Sequence, residues 1–309
     1  MFKIEKPGIF LDVADADYRS DPCPTPSLTQ SLAKILLEKS PLHAWYAHPR
    51  LNPDYRHNDD RKFDVGNIAH KLLIGRGKEI VVLDGFDDWR TKDAKARRDE
   101  AAAEGKIAVL GKHFALADRM VKAAREQLYL RRLATAFTEG NGEVVLAWQE
   151  NGLWFRSMVD WIVGAGLVYD YKTTGMSCAP HAIGRMMADA GWDVQAAMIE
   201  RGLDVLDPDN AGRRCFRFVA QEDEPPYAIT ACELSESVMT MGRKKLTMAI
   251  SMWARCVQEN RWPGYVTALV YPEYPGWAES QWLNREIADA AQERVSVRGE
   301  KMLTNMAGG

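Results

Sequence analysis

Three residues of the sequence, Asp160, Asp170 and Lys172, have the types and the spacing needed for hydrolytic chemistry. They lie in two apolar, β-rich runs, 153–163 and 167–174, and the Gly-Ala-Gly sequence between the runs predicts an antiparallel hairpin with a tight turn. Charged groups inside an apolar hairpin are costly unless they are paired or bind a metal. Two carboxylates beside an ammonium group suit a hard divalent cation and the anionic transition state of phosphodiester hydrolysis.

The alternation of side chains along a strand predicts where the residues of the second run point. Asp170 and Lys172 should share one face of the sheet, with Tyr169 and Tyr171 on the other. An Asp-x-Lys sequence is common by chance, and an exposed salt bridge on a sheet is the alternative interpretation. Residues elsewhere in the chain therefore have to support a metal site.

The order Asp160, then Asp170-x-Lys172, resembles the PD-(D/E)xK nuclease superfamily. Gly66-x-x-x-His70 resembles a helix of its RecB-like branch, and segment 191–203 resembles the Gln-x-x-x-Tyr helix of that branch. Three further segments are similar to phage and prophage RecE-type exonucleases: Ser40-Pro41-Leu42-His43, Trp89-Arg90-Thr91-Lys92 and Trp262-Pro263-Gly264-Tyr265. The resemblance spans residues 8–265 and departs at Ile199, where the tyrosine of the Gln-x-x-x-Tyr element is expected.

The resemblance implies an α/β fold, with a mixed central β-sheet flanked by helices and helical additions at both ends of the chain. It also implies a Mg²⁺- or Mn²⁺-dependent DNA exonuclease that acts on duplex ends with 5′ to 3′ polarity and leaves single strands for phage-type recombination. The implied partners are double-stranded DNA ends, a single-strand-annealing recombinase and further copies of the chain in a ring-shaped homo-oligomer.

The same resemblance assigns roles to individual residues. Asp160, Asp170 and the backbone carbonyl of Tyr171 would hold the metal, and His70 would approach it from its helix, which favours tolerance of Mn²⁺. Lys172 would polarise or help to deprotonate the attacking water and stabilise charge on the phosphate. A packed helix histidine is the alternative interpretation of position 70.

Two further polar residues have open interpretations. Glu143 begins the strand before Asp160, so it is either an additional metal ligand or a carboxylate at the surface end of a strand. Gln195 either bonds a phosphate or a metal-bound water, as a catalytic residue, or satisfies buried backbone groups.

The composition is that of a soluble globular protein, with 46% hydrophobic and 27% charged residues among 309. We expect one nuclease-like domain over 1–309, with a core at about 60–262, a helical N-terminal entry segment at about 1–59 and a C-terminal tail at about 263–309. The apolar runs are too short for a membrane span, and residues 1–7 lack the apolar block of a signal peptide, so a cytoplasmic location in a bacterial host cell is expected.

The net charge and the positions of the cysteines argue against several kinds of nucleic-acid-binding and metal-binding protein. The net charge of −3 argues against indiscriminate nucleic-acid binding, although short basic clusters at 92–98, 213–214 and 243–245 could line a local groove. The five cysteines are scattered without a Cys-x-x-Cys pair, so neither a zinc ribbon nor a disulfide framework is supported. Some RecB-like nucleases carry a four-cysteine iron–sulphur cluster, and the clustered C-terminal cysteine triplet expected there is missing. Two alternatives to an exonuclease remain: an endonuclease or single-strand nuclease with the same site, and a degenerate nuclease fold that binds DNA or protein.

Hydrophobic periodicity and capping signals predict the elements that position these residues. Strands are predicted at 81–83, 143–149, 154–163, 167–173, 214–221 and 227–233. Helices are predicted at 27–38, from Pro41 onwards, and at 65–74, 92–105, 114–135, 180–202, 235–260 and 282–293. Residues 1–26 are expected to be extended or loop, and residues 48–62 irregular.

Overall fold

The computed structural model describes residues 2–56, 65–76 and 79–306, with side chains described as far as residue 293. The helices are α1 Asp15–Arg19, α2 Gln30–Glu38, α3 Pro41–Ala47, α4 Val65–Ile74, α5 Lys92–Ala103, α6 Gly111–Leu130, α7 Pro180–Ala190, α8 Trp192–Leu206, α9 Glu236–Glu259 and α10 Gly276–Met306. The strands are β1 Gly8–Phe10, β2 Ser27–Leu28, β3 Ile80–Leu83, β4 Ile107–Leu110, β5 Asn141–Glu150, β6 Leu153–Val163, β7 Leu167–Thr174, β8 Cys215–Glu222 and β9 Ile229–Glu233.

The central sheet is mixed, which confirms the predicted fold class. Its strands follow the order β1-β5-β6-β7-β8-β9, and β2 pairs in parallel with β6. Strands β5, β6 and β7 are antiparallel neighbours, whereas β7 and β8 are parallel. The predicted hairpin is β6 and β7, and its turn is the Gly-Ala-Gly sequence.

Helices cover both faces of this sheet. On one face, α2, α8 and α9 enclose the largest core cluster, in which Trp192 stacks on Phe218 with ring centroids 4.7 Å apart. On the other face, α4 and α6 pack against Tyr169, Tyr171 and Val219. A sheet buried on both faces explains the long apolar runs of its strands, in which the few charged residues stand out.

Strands β6 and β7 separate at the position of the predicted site. Their ladder runs from Val163 opposite Leu167 to Trp161 opposite Tyr169 and then ends. Beyond that point β6 stays paired with β5, and β7 stays paired with β8. Asp160 and Asp170 are the first residues after the ladder on their two strands, so both carboxylates begin where the sheet opens.

Several sequence predictions of local structure were wrong. The helix predicted at 180–202 is two helices, α7 and α8, because Gly191 has a φ of +65° and ends the first helix. Strand β4 was not predicted; it pairs in parallel with β3 across helix α5. The C-terminal helix predicted at 282–293 is the longer α10.

The N-terminal segment also differs from its prediction. It is not wholly loop, since it contains β1, α1 and β2. Helix α2 begins at Gln30 rather than at residue 27, and Thr29 caps it by accepting a hydrogen bond from the backbone N–H of Leu32. Ser27 lies in β2 and binds Asp21, whose carboxylate forms a buried ion pair with Arg156 of β6 at 2.8 Å. The predicted irregular stretch at 48–62 lies partly outside the described residues.

The chain divides into two compact units, residues 1–265 and 266–309. The second unit consists of an extended stretch followed by α10, and its described large apolar side chains, such as Trp277 and Trp282, are exposed. Every helix in the described part of the chain is too polar or too short to cross a lipid bilayer.

Close backbone packing between α8 and α9 holds the helix that carries Gln195. Gly242 of α9 lies against the carbonyl group of Asp193 in α8, and a Cβ atom at position 242 would be 2.7 Å from the carbonyl carbon of Asp193 and closer still to its oxygen. A backbone carbonyl cannot move aside as a flexible side chain can. Glycine at position 242 therefore sets the separation of the two helices.

We predict that Gly242→Ala lowers the free energy of unfolding by about 1–3 kcal/mol, because the added methyl group forces α8 and α9 apart. Gly184→Ala is the matched control, since Gly184 lies in α7 and a Cβ atom there meets nothing within 4 Å. The control should stabilise the protein by about 0.4–1 kcal/mol, because alanine restricts the unfolded chain. Urea unfolding measures both, and equal effects of the two substitutions would contradict this packing.

Candidate active site

Asp160 is held by a backbone amide and an imidazole at the point where β6 and β7 part. Its Oδ2 atom accepts a hydrogen bond of 3.2 Å from the backbone N–H of Tyr171, a group that the β6–β7 ladder no longer uses. The Nε2 atom of His70, on α4, lies 3.0 Å from the same oxygen. The hairpin and the predicted Gly66–His70 helix therefore meet at this carboxylate.

Asp170 contacts the other two predicted catalytic residues. The Nζ atom of Lys172 lies 2.5 Å from Asp170 Oδ1, and the side-chain amide of Gln195, on α8, donates to Asp170 Oδ2 at 2.5 Å. Asp170 and Lys172 share one face of β7, as the alternation predicted, whereas Tyr169 and Tyr171 pack into the cluster on the opposite face. Gln195 thus bonds a carboxylate of the candidate site rather than buried backbone.

Burial and mutual charge govern the ionisation of these groups. Burial opposes the ionisation of Asp160, but the neighbouring His70, Lys172 and the Tyr171 amide outweigh it and hold the pKa of Asp160 below its usual range. Burial and the adjacent charge of Asp160 raise the pKa of Asp170, against the opposing effect of Lys172. One carboxylate is therefore stabilised as an anion, and the other has a raised proton affinity.

The two cationic groups respond to the same carboxylates. Burial lowers the pKa of His70, but the charge and the hydrogen bond of Asp160 outweigh this effect and raise the pKa above its ordinary value of 6.5. Burial likewise acts against the charged form of Lys172, and the charges of Asp170 and Asp160 outweigh it, so the pKa of this lysine is raised. The two aspartates thus favour the charged forms of both groups.

Glu143 lies on β5 close to this cluster. The pairs Gly142–Trp161 and Val144–Val159 flank it, which places Glu143 across from Asp160. Its backbone has a φ of +52°, a left-handed conformation that costs of the order of 1–3 kcal/mol for a residue other than glycine. Burial raises the pKa of its half-buried carboxyl, and His70 and Asp160 are among the charges that act on it.

The donor set suits a divalent cation, although the described residues contain no preformed cluster of three His, Cys, Asp or Glu ligands. Each aspartate instead contacts a nitrogen group of the protein: Asp160 contacts His70, and Asp170 contacts Lys172. Asp170 Oδ1 is buried, and it contacts the ammonium group of Lys172 at 2.5 Å. A buried carboxylate oxygen is a suitable ligand for Mg²⁺ or Mn²⁺, and a bound cation would take the place of this ammonium contact. The backbone carbonyl of Tyr171 and the carboxylate of Glu143 remain predicted ligands.

A buried glutamine behind Tyr171 was missed by the sequence analysis. Gln221 of β8 is fully buried, and its Oε1 atom accepts a hydrogen bond from the hydroxyl of Tyr171. The signal for it was a polar residue at the end of the otherwise apolar run Phe218–Gln221, but the sequence gives no indication of its partner.

Ile199, where the family tyrosine is expected, is a core residue. It is 2% exposed and packs in the cluster that α8 forms with the sheet. Gln195, four residues before it on the same helix, keeps its contact with Asp170. The chain therefore retains the amide of this element and uses the tyrosine position for packing.

Two other resembling segments lie together although they are far apart in sequence. The backbone N–H of Leu42 donates to the carbonyl of Pro263 at 3.0 Å, and the rings of His43 and Tyr265 are 5.1 Å apart. Ser40 caps α3 and contacts His43 Nδ1 at 2.7 Å. These contacts close the fold around α3 and do not include the carboxylates of the candidate site.

Comparison with known families agrees with this geometry. Residues 31–271 match the family described as a PDDEXK-like domain of unknown function, DUF3799, and the chain therefore belongs to that family. The resemblance to the PD-(D/E)xK nuclease superfamily is thereby confirmed. Among curated proteins, no sequence matches this chain.

Solved structures support the fold. A crystal structure of a candidate exonuclease from Eubacterium rectale is similar over 87% of this chain and 98% of its own, with a TM-score of 0.57 and 10% identity. A second structure, SSO0001, aligns with 59% of this chain and 84% of its own at 13% identity, and its TM-score of 0.22 is too low to support any argument. At 10% identity the first similarity shows a shared fold.

We predict that His70 titrates above pH 6.5 in the metal-free protein, because Asp160 stabilises its imidazolium form. The pair then contributes stability below the ordinary pKa of the imidazole and loses it as the pH rises through the raised value. In Asp160→Asn, the pKa of His70 should fall. NMR titration of the imidazole resonances measures both values.

His113 is an internal control in the same spectra, because burial and Lys112 lower its pKa below 6.5 and it should not respond to Asp160→Asn. An unchanged His70 titration in Asp160→Asn would show that the two side chains do not interact in solution.

Proposed function

We propose that this protein is a metal-dependent deoxyribonuclease that hydrolyses phosphodiester bonds from the ends of duplex DNA. The observation that carries the proposal is the meeting of Asp160, Asp170, Lys172 and His70 where β6 and β7 separate. Two acidic oxygen donors beside an ammonium group and an imidazole suit a divalent cation and a phosphate substrate. Membership of the PDDEXK-like family agrees with this chemistry.

Each residue has a distinct role in the proposed reaction. Asp160 and Asp170, with His70, the carbonyl of Tyr171 and Glu143, would hold Mg²⁺ or Mn²⁺. The bound cation would lower the pKa of a water molecule and offset charge on the scissile phosphate. Lys172 Nζ would orient the attacking water and stabilise the negative charge that develops on the phosphate oxygens.

Gln195 would keep Asp170 in position through its amide hydrogen bond. It also donates to an oxygen other than the one that Lys172 contacts. The two contacts together fix the plane of the Asp170 carboxylate. We also propose that the Gln195 amide contacts the phosphate or a metal-bound water during the reaction.

The finer features of the proposal rest on the resemblance to RecE-type exonucleases. They are 5′ to 3′ polarity, a role in phage-type recombination with a single-strand-annealing recombinase, a homo-oligomer and a cytoplasmic location in a bacterial host cell. The structure narrows the candidate DNA contacts, because several cations of the basic clusters already have acidic partners. Arg214 pairs with Asp204, and Arg243 pairs with Glu200.

A degenerate nuclease fold that only binds DNA or protein is the second candidate function. Two observations favour it: Ile199 lies where the family tyrosine is expected, and the described residues hold no preformed three-ligand cluster. Isothermal titration of the protein with Mn²⁺ separates the two functions, because a degenerate site should bind no metal.

We predict that Lys172→Ala lowers the cleavage rate by about 10²–10³-fold or more, because the phosphate loses its charge-stabilising ammonium group. Its affinity for Mn²⁺ should stay close to that of the wild type, whereas Asp160→Asn and Asp170→Asn should lose both metal binding and cleavage. Lys106→Ala is the control for removing a lysine, since Lys106 pairs with Glu104. Full activity in either asparagine variant would refute the site.

Degradation of end-labelled linear duplex in the presence of Mg²⁺ tests the reaction itself. An exonuclease with the proposed polarity releases the 5′ label first and leaves covalently closed circles intact. Cleavage of the closed circles would instead identify an endonuclease with the same site, and release of the 3′ label first would reverse the polarity.

A further inference from the structure

A buried polar network lies on the face of the sheet opposite Asp170 and Lys172. Gln221 is its centre: Oε1 accepts from the hydroxyl of Tyr171, and Nε2 donates to the carbonyls of Met120 and Tyr227, both at 3.0 Å. The side chain of Gln221 is 0% exposed. Three of its four hydrogen-bonding positions are therefore filled by groups from β7, α6 and the connection between β8 and β9.

A second glutamine binds the same carbonyl. Gln127 of α6 donates to the Tyr227 carbonyl at 2.9 Å and accepts from the backbone N–H of Ile229 at 3.1 Å. The network thus fixes α6 and β9 through one glutamine, and fixes Tyr171 through the other. Both glutamines bind the Tyr227 carbonyl, but among the hydrogen bonds of the described residues Gln221 contacts Tyr171 and Gln127 does not.

Tyr171 connects this network to the candidate site. Its side chain points away from the carboxylates, into the cluster with Phe137 and His70, whose rings lie 6.2 Å from its own. Its backbone N–H points to Asp160 Oδ2. Because the side chain and the N–H share one Cα atom, anchoring the hydroxyl also restricts the rotation of the peptide between Asp170 and Tyr171.

This restriction matters because the β6–β7 ladder ends at Trp161 and Tyr169. Beyond that pair, β6 does not hold the Tyr171 peptide through ladder hydrogen bonds, and β7 is supported by β8 alone. A side-chain anchor on the opposite face compensates for the missing support. It acts on the one residue that separates the two predicted catalytic residues of this strand.

We propose that Gln221 is a positioning residue: through the Tyr171 hydroxyl it holds the Tyr171 peptide so that its N–H binds Asp160 and so that Asp170 and Lys172 keep their places. The inference rests on the proposed function for its kinetic consequences, but its structural part does not. Supporting residues that orient metal ligands typically change activity or metal affinity by about 10–100-fold when they are removed.

The test compares Tyr171→Phe, which removes only the hydroxyl, and Gln221→Leu, which removes the acceptor, with Gln127→Leu as the matched control. Tyr171→Phe and Gln221→Leu should move the backbone amide proton resonance of residue 171 upfield, because its hydrogen bond to Asp160 lengthens, and should lower kcat by about tenfold or more with little change in KM. Gln127→Leu should lower thermal stability but leave this resonance and kcat near the wild-type values.

The outcomes separate positioning from a purely structural role. Tyr171→Phe and Gln221→Leu variants that lose stability while the amide proton of residue 171 keeps its wild-type chemical shift would overturn the proposal. If Gln221→Leu fails to fold, Tyr171→Phe decides alone, since it removes a single oxygen atom. If the wild-type protein cleaves no DNA, the proposed function fails, and the amide resonance still shows whether Gln221 positions the peptide.

Discussion

The opening of the sheet between β6 and β7 is the constraint on which the rest of the site depends. Two antiparallel strands that stayed paired would use the Tyr171 amide in their ladder and deprive Asp160 of this backbone donor. Because the ladder stops at Trp161 and Tyr169, that amide binds Asp160 instead. The same separation leaves room for His70 to reach Asp160 from α4. One change in strand pairing therefore creates the carboxylate environment.

Two carboxylates and two nitrogen groups meet at this opening, and this combination suits the proposed binding of an anionic substrate through a cation. Two carboxylates lie close enough for one to raise the proton affinity of the other. His70 and Lys172 compensate the charge within the protein alone, and a divalent cation between the carboxylates would compensate it more fully. Lys172 would then be available to the phosphate. The left-handed backbone at Glu143 adds a third carboxyl group nearby at a cost in conformational energy.

The sequence predicted the parts of the site that depend on periodicity. Alternation along β7 placed Asp170 and Lys172 on one face, and the Gly-Ala-Gly sequence located the turn of the hairpin. Helix α4 was predicted with its observed bounds, 65–74. These features follow from the local sequence, through strand alternation, turn residues and helical periodicity, and the tertiary contacts leave them unchanged.

The remaining features depend on contacts between distant segments, which a single sequence does not show. Gln221 follows three apolar residues of β8, and its partners come from β7, from α6 and from the β8–β9 connection. The break between α7 and α8 was missed because Gly191 both ends one helix and precedes the next without a gap. Strand β4 was missed because its four residues pair in parallel with a strand on the other side of α5.

The central claim is that a divalent cation binds between the carboxylates of Asp160 and Asp170, beside Lys172. Anomalous diffraction from crystals grown with Mn²⁺ tests it most directly. We predict a single strong anomalous peak within ligand distance of both carboxylates. We also expect the Lys172 ammonium group to move away from Asp170 Oδ1. If crystals grown at saturating Mn²⁺ show no peak at these two residues and the contact between Lys172 and Asp170 is intact, the proposed metal site is contradicted.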